Sequence, residues 1–350
     1  MKSNWIRFLA GVIASAVLVG AFALTGGMKN GKRTDGLLYQ ASGLHPDGEL
    51  LLIDGQTVTA EEYLYWLAQD CDYLSGQVEG LDWDAAVTED MTFGAYAKAD
   101  AMEAVKQHAV VRAWAEEAGI GLTDADKAEL EAQRQQYVTY YGSEESFLQR
   151  LAVMGVSEAA WDMIQTGQYL YRNLYEAFCT PGSGLYPDEA SLADYAAAQG
   201  YMSVYAVTVT DDDAEGVAAD LLARWQAAED KEGEYAAICE ELGQEAGSAV
   251  TLAAVEDDPL SNAIAALEEG GMDAVIDPYE DGTCYVVMRT ETDMSAVAQT
   301  YFDVLWEQRV QDAVVVVNTK LYDTIDTGAF YEKLTQLRAA LEAESGDTAG

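Results

Sequence analysis

Two histidines, four cysteines and two acidic clusters are the residues of this chain best suited to chemistry. His45 and His108 are the only imidazoles in 350 residues, and they lie far apart in sequence. A Ser-His or Cys-His nucleophile needs an imidazole within hydrogen-bond reach, so neither pairing is favoured. Cys71, Cys179, Cys239 and Cys284 form no Cys-x-x-Cys pair. A zinc or redox site is therefore not expected, and each reads as a small buried hydrophobe. Their even number permits disulfides in an oxidising compartment without fixing a pairing. Asp211-Asp212-Asp213 and Glu256-Asp257-Asp258 concentrate carboxylates. Neither has EF-hand ligand spacing, so both read as solvated turns. No Gly-x-Ser-x-Gly, His-Glu-x-x-His, phosphate-loop or dinucleotide fingerprint occurs. No metal and no cofactor is expected.

Charge narrows the partners. The chain carries −42. Lys2, Arg7, Lys29, Lys32 and Arg33 are the only charged residues before position 34, so the rest is five charges more negative still. Such a body does not neutralise phosphates and excludes nucleic acid as a partner. It is also repelled by an anionic lipid surface. Lys2 and Arg7 precede the uncharged run Phe8–Leu24, an export signal short for a membrane span. We read residues 1–24 as a signal or anchor, with 8–24 the apolar core. The uncleaved form is favoured over cleavage near Ala23. Either form places the body on the extracytoplasmic face of the membrane, or secretes it. No cysteine near the end of the run supports a lipoprotein.

The elements that position these residues fall into blocks. Residues 25–49, rich in Gly, Lys, Asp and Ser, read as a linker from the membrane. Two short apolar pieces flank Asp54-Gly55, a hairpin signal. Thr59 is placed to cap a helix, with Glu62 completing a capping box. A helical pattern then runs to about Phe178. Met102, Val105, Ala109 and Ala113 share one face, Gly119 ends their helix, and Thr123–Asp126 opens the next. Pro181, Gly182, Gly184 and Pro187 mark a boundary. Beyond it, strand Met202–Thr210, three helices and strand Cys284–Arg289 make a β-α-α-α-β module. Helix returns from Ser295, an apolar run at Val314–Val317 reads as a strand, and Phe330–Glu344 as a last helix.

This layout resembles the PrsA/SurA family of extracytoplasmic foldases. Ile53-Asp54-Gly55-Gln56-Thr57-Val58-Thr59 looks like the family's opening motif. The stretch from Ala113 through Gly119-Ile120-Gly121-Leu122-Thr123 to Asp126 is similar to its "A-x-x-x-G-I-x-L-T-x-x-D" segment, and Gly142–Leu148 to its "G-x-E-x-F-L" piece. The resemblance implies a mostly helical α+β fold: a chaperone lobe at 50–180, an inserted parvulin-type peptidyl-prolyl isomerase domain at 187–293, and a segment at 295–338 that returns to the lobe. Residues 339–350 read as a disordered tail. It also implies where catalysis would sit. The family's two pocket histidines fall at Ala206 and Tyr285, and its proline-contacting aromatic near Leu260 or Ala265. These positions describe a degenerate pocket with no catalytic residue to name.

Prolyl isomerisation lowers a rotation barrier of about 18–20 kcal/mol without making a lasting covalent bond. Loss of both histidines is expected to leave the domain inactive. The family's other capacity, holding apolar stretches of unfolded chain, needs an apolar cradle open to solvent. Tyr63, Tyr65, Trp66, Tyr73 and Trp83 are the candidates for that cradle. The expected function is thus a membrane-tethered chaperone or foldase for unfolded or newly exported polypeptides. Two alternatives are an active isomerase with a remodelled pocket and a non-enzymatic assembly protein with a single partner. Oligomeric state has no signal in the sequence.

Overall fold

A computed structural model describes residues 36–45 and 48–347. The anchor read at residues 8–24 lies outside the described residues. The chain divides into two compact units. One holds the residues up to Leu174 and those from Trp306; the other holds Tyr175–Leu305.

The first unit is mostly helical. It contains Leu37–Ser42 (α1), Glu49–Ile53 (β1), Gln56–Thr59 (β2), Ala60–Gln77 (α2), Ala86–Thr88 (β3), Met91–Thr92 (β4), Phe93–Ala118 (α3), Asp124–Tyr141 (α4) and Glu144–Met154 (α5), and most of Glu158–Cys179 (α6). The β1–β2 turn places Asp54 at φ 47° and Gly55 at φ 82°. Two central residues with positive φ match the right-handed twist of a hairpin, which is why Asp-Gly forms it. The linker reading of residues 25–49 needs correction from Leu37 on. Leu37, Leu38 and Tyr39 of α1 are buried in the core. Gly155, at φ 85°, ends α5 against α1; a Cβ there would lie 2.5 Å from Leu38 Cγ.

Capping follows the sequence at one helix and departs from it at another. Thr123 and Asp126 close a full capping box, with Thr123 N donating to Asp126 Oδ2 at 2.7 Å and Asp126 N to Thr123 Oγ1 at 3.1 Å. At α2, Thr59 Oγ1 accepts from Glu62 N at 3.3 Å, but the Glu62 carboxylate turns inward. Arg112 of α3 donates to its two oxygens at 2.8 and 3.3 Å.

The second unit contains Glu189–Gln199 (α7), Met202–Val209 (β5), Ala214–Ala227 (α8), Lys231–Leu242 (α9), Val250–Leu252 (β6), Pro259–Ala265 (α10), Met272–Val275 (β7) and Cys284–Thr290 (β8), and opens Met294–Asp312 (α11). Its sheet runs β6-β5-β8-β7, antiparallel throughout. The expected β-α-α-α-β order thus gains two edge strands. With three and four residues, β6 and β7 are too short to show an alternating pattern. One face of the sheet is covered. Val207, Val209, Cys284, Val286 and Met288 pack there with Ala218, Leu221 and Trp225 of α8 and Ile238 and Cys239 of α9. Trp225 is fully buried, and its Nε1 donates to Lys231 O at 2.8 Å.

The chain then returns to the first unit. Val315–Val317 (β9) pairs antiparallel with β1, so that sheet runs β2-β1-β9. Thr319–Tyr322 (α12) and Thr327–Asp347 (α13) follow. The tail reading of 339–350 is corrected by α13, which stays helical to Asp347 and packs Leu341 against the core. Arg338 pins it by donating to both Asp72 oxygens, at 2.8 and 2.9 Å, and to Val153 O at 3.0 Å. The fold is mostly helical α+β. Among the described residues no helix is long and apolar enough to cross a membrane.

Candidate functional site

The other face of the second unit's sheet, partly covered by α10, carries the degenerate pocket positions Ala206 and Tyr285. In an antiparallel ladder directly opposed residues project to the same face. Val204 opposes Val250 and Arg289, Ala206 opposes Val287, and Thr208 opposes Tyr285. On the far side Asp273 opposes Val287 and Val275 opposes Tyr285. Three rows therefore cross the face: Val250–Val204–Arg289, Ala206–Val287–Asp273 and Thr208–Tyr285–Val275. Ala206 and Tyr285 are diagonal neighbours, with Ala206 exposed and Tyr285 half-buried. Leu260 joins them through the cluster of Val204, Ile264, Val275, Val287 and Tyr285. Ala265 stands apart at the end of α10, exposed, its carbonyl accepting from Arg289 Nη1 at 3.1 Å.

Short α10 and the loops around Asp258 and Tyr279 border the Tyr285 end of this face. Tyr279 packs edge-on against Tyr285, with ring centroids 6.2 Å apart, and donates to Asp258 Oδ2 at 2.9 Å. Desolvation first, then the bond to Asp258, raises the Tyr279 phenol above its ordinary range, so it remains a donor. Asp258 also caps α10 by accepting from Ser261 N at 2.6 Å. The Glu256–Asp258 cluster is therefore a cap and loop clamp. Among the described residues no group of His, Cys, Asp and Glu is arranged to hold a metal ion. The loops leave Val255, Ile276 and Tyr279 exposed by 58%, 42% and 44%. These are large apolar areas for a surface of this charge.

The polar groups on the face are Thr208, Tyr285, Asp273 and Arg289, with Tyr279 beside Tyr285; none is an imidazole or a thiol. Cys284 projects to the covered face and is buried beside Val209 and Val286. All four cysteines are free. His108 lies in the first unit, 5.1 Å from the Trp66 ring. Burial first, then Arg112, lowers its pKa to about 4, which keeps it neutral.

The aromatic candidates of the first unit do not form an open cradle. Tyr63 is fully buried; its hydroxyl donates to Lys98 O at 3.1 Å and lies 3.2 Å from Tyr322 Oη. Tyr65 is buried and stacks edge-on with Trp66. Trp66 and Trp83 are half-buried and pack on the core, Trp83 against Tyr331 at 5.4 Å. Tyr73 alone of the five is exposed, by 67%. Density of aromatics at the start of α2 thus marks core, because the helix buries two of its faces. The first unit does carry a groove of about 430 Å³ elsewhere, between α4 and α6, with Tyr137 and Trp161 beside Glu131, Glu158 and Asp162. The sequence reading missed it, as it missed Val255, Ile276 and Tyr279, which sit in loops without periodicity.

The chain is similar in fold to PrsA foldases. Foldase protein PrsA from Streptococcus pneumoniae is 13% identical, over 73% of this chain and 99% of that one, with a TM-score of 0.25. Foldase protein PrsA from Lactococcus lactis is 16% identical, over 83% and 93%, with a TM-score of 0.27. PrsA from Bacillus subtilis is 14% identical, over 73% and 92%, with a TM-score of 0.25. No family model matches the chain, and no curated protein matches it.

Proposed function

We propose that this protein is a membrane-tethered, extracytoplasmic chaperone or foldase that holds unfolded or newly exported polypeptides, and that its sheet module is parvulin-like without being catalytic. One observation carries the reading: a sheet face that α10 covers only in part, leaving Ala206 exposed and Tyr285 half-buried, free of imidazole and bordered by loops that expose Val255, Ile276 and Tyr279. Such a face offers apolar contact to an extended chain and no acid–base pair to a reaction. Strong net negative charge adds attraction for basic or unfolded clients. The apolar run 8–24, preceded by Lys2 and Arg7, supports tethering outside the cytoplasm.

The test joins two assays on the full chain. Several-fold molar excess should suppress aggregation of a reduced, unfolded client, while cis–trans isomerisation of Ala-Xaa-Pro peptides should proceed at the rate of buffer. Failure to suppress aggregation contradicts the holding reading. A catalysed rate favours a remodelled isomerase, the reading that Asp273 supports through its place beside Val287. Crosslinking that recovers one stoichiometric partner instead of many favours an assembly protein.

A further inference from the structure

The second unit holds a cavity of about 390 Å³ away from the loop-rimmed end of the sheet. One wall is small, with Ala193, Ala196 and Ala197 of α7, Gly200, and Ala254 after β6; the larger Tyr201, Met202 and Met294 also line it. Gly200, at φ 63°, brings the end of α7 close to the β6 loop; a Cβ there would lie 2.8 Å from Ala254 Cβ. Arg289 is the one charged residue that lines it.

That guanidinium is held in place without being neutralised. Its Nη1 donates to Ala265 O at 3.1 Å and Leu267 O at 2.7 Å, the last carbonyls of α10 and its exit. Its Nε is buried with no acceptor. In contrast, Arg112, Arg134, Arg172, Arg224, Arg309 and Arg338 each lie on a carboxylate. Acidic residues outnumber basic ones 61 to 19 in this chain, so an arginine fixed on neutral carbonyls beside a cavity is out of pattern. With Nη1 engaged and Nε buried, Nη2 is the nitrogen left to meet an anion, and a carboxylate matches it in charge.

The geometry points to a binding site for the C-terminal carboxylate of a polypeptide that ends in small apolar residues. The guanidinium would meet the carboxylate, and the alanines of α7 would lie against small terminal side chains. The site's surroundings repel anions generally, so the body of the ligand is neutral or basic. This inference rests on the polypeptide-holding reading, and concerns the Arg289 end of the same sheet face.

The experiment measures fluorescence anisotropy of labelled peptides on the full chain. The probes are one neutral peptide ending in Ala-Ala as the free acid, its C-terminal amide, and the amide with an internal Glu. The free acid should bind at least 10-fold more tightly than either amide. Arg289→Gln should abolish that preference. Ala197→Leu, at an exposed wall position, should do the same by filling the cavity, at an unchanged melting temperature. Equal binding of acid and amide to the wild type overturns the site, and so does a preference that survives both substitutions. Equal affinity for the internal-Glu amide reassigns the ligand to side-chain carboxylates and overturns the C-terminal claim. If aggregation suppression persists while the acid preference is absent, only this site falls; if suppression is absent too, the holding reading falls with it.

Discussion

Tyr63 and Tyr285 lie in regions that use aromatic side chains in opposite ways. In the helical unit, Tyr63 is fully buried, its hydroxyl placed on Lys98 O and beside Tyr322, and its surroundings are equally closed. There Glu62 is 1% exposed and paired with Arg112, and α13 returns from the far end of the chain to seal the core with Phe330 and Leu334. In the sheet module, Tyr285 is half-buried on a partly covered face, and its neighbour Tyr279 is 44% exposed. The difference lies in the covering. Helices cover one face of the β6-β5-β8-β7 sheet with Trp225 and Leu221, and only short α10 partly covers the other. In a closed interior the loss of a partner leaves a buried polar group unpaired, so it registers as stability. An open apolar face leaves stability nearly unchanged on substitution, and its loss registers as binding.

Substitutions sharpen this contrast in order of size. Arg112→Met leaves the Glu62 carboxylate buried and unpaired, which costs about 3–5 kcal/mol. Urea unfolding should show a lower midpoint, and adding Glu62→Leu should recover much of the loss. A cost near zero for Arg112→Met would show the helical interior to be wetter than its closure implies.

A second effect is pH-dependent and confined to the helical unit. Asp70 of α2 and Asp100 of α3 share a hydrogen bond, and desolvation, followed by the Asp100 charge, pushes Asp70 up to about 8. An unfolded aspartate titrates at about 3.9. Between these values the folded state binds more protons than the unfolded state, so stability falls as pH rises from about 4 to about 8. Melting temperature should therefore drop between pH 5.5 and 8.5. Asp70→Asn, which keeps a donor toward Asp100, should flatten that slope. A slope identical in the variant would mean the pair holds no extra proton.

The smallest effect belongs to the surface. Glu117→Gln removes the exposed pair with Arg309, at 2.9 Å, and should change stability by under about 1 kcal/mol. Loss of several kcal/mol would show that α11 depends on this contact far more than an exposed pair allows.

How much was legible in the sequence follows the range of each interaction. Asp54-Gly55 and the Thr123–Asp126 box are local, so turn and cap chemistry placed them correctly. Glu62 also has the spacing of a capping box, yet Arg112, 50 residues away, captures its carboxylate. The α1 segment was read as a linker because Gly and Ser surround it, and only the approach of Leu38 to Gly155 shows otherwise. Edge strands β6 and β7 are shorter than the period that reveals a strand. The site divides in the same way. Ala206 and Tyr285 could be named from the resemblance, and strand register brings them together. Val255, Ile276, Tyr279 and the isolated charge of Arg289 depend on loops and on non-local pairing, which leave no pattern in the sequence.

The most direct test of the open-face account is the affinity of the full chain for a reduced, unfolded client when Val255, Ile276 and Tyr279 are all replaced by Asp. These side chains are exposed, so the melting temperature should shift by only a few degrees. We predict client binding at least 10-fold weaker than wild type. Unchanged affinity in a folded variant would contradict the account and direct attention to the Tyr137–Trp161 groove of the helical unit.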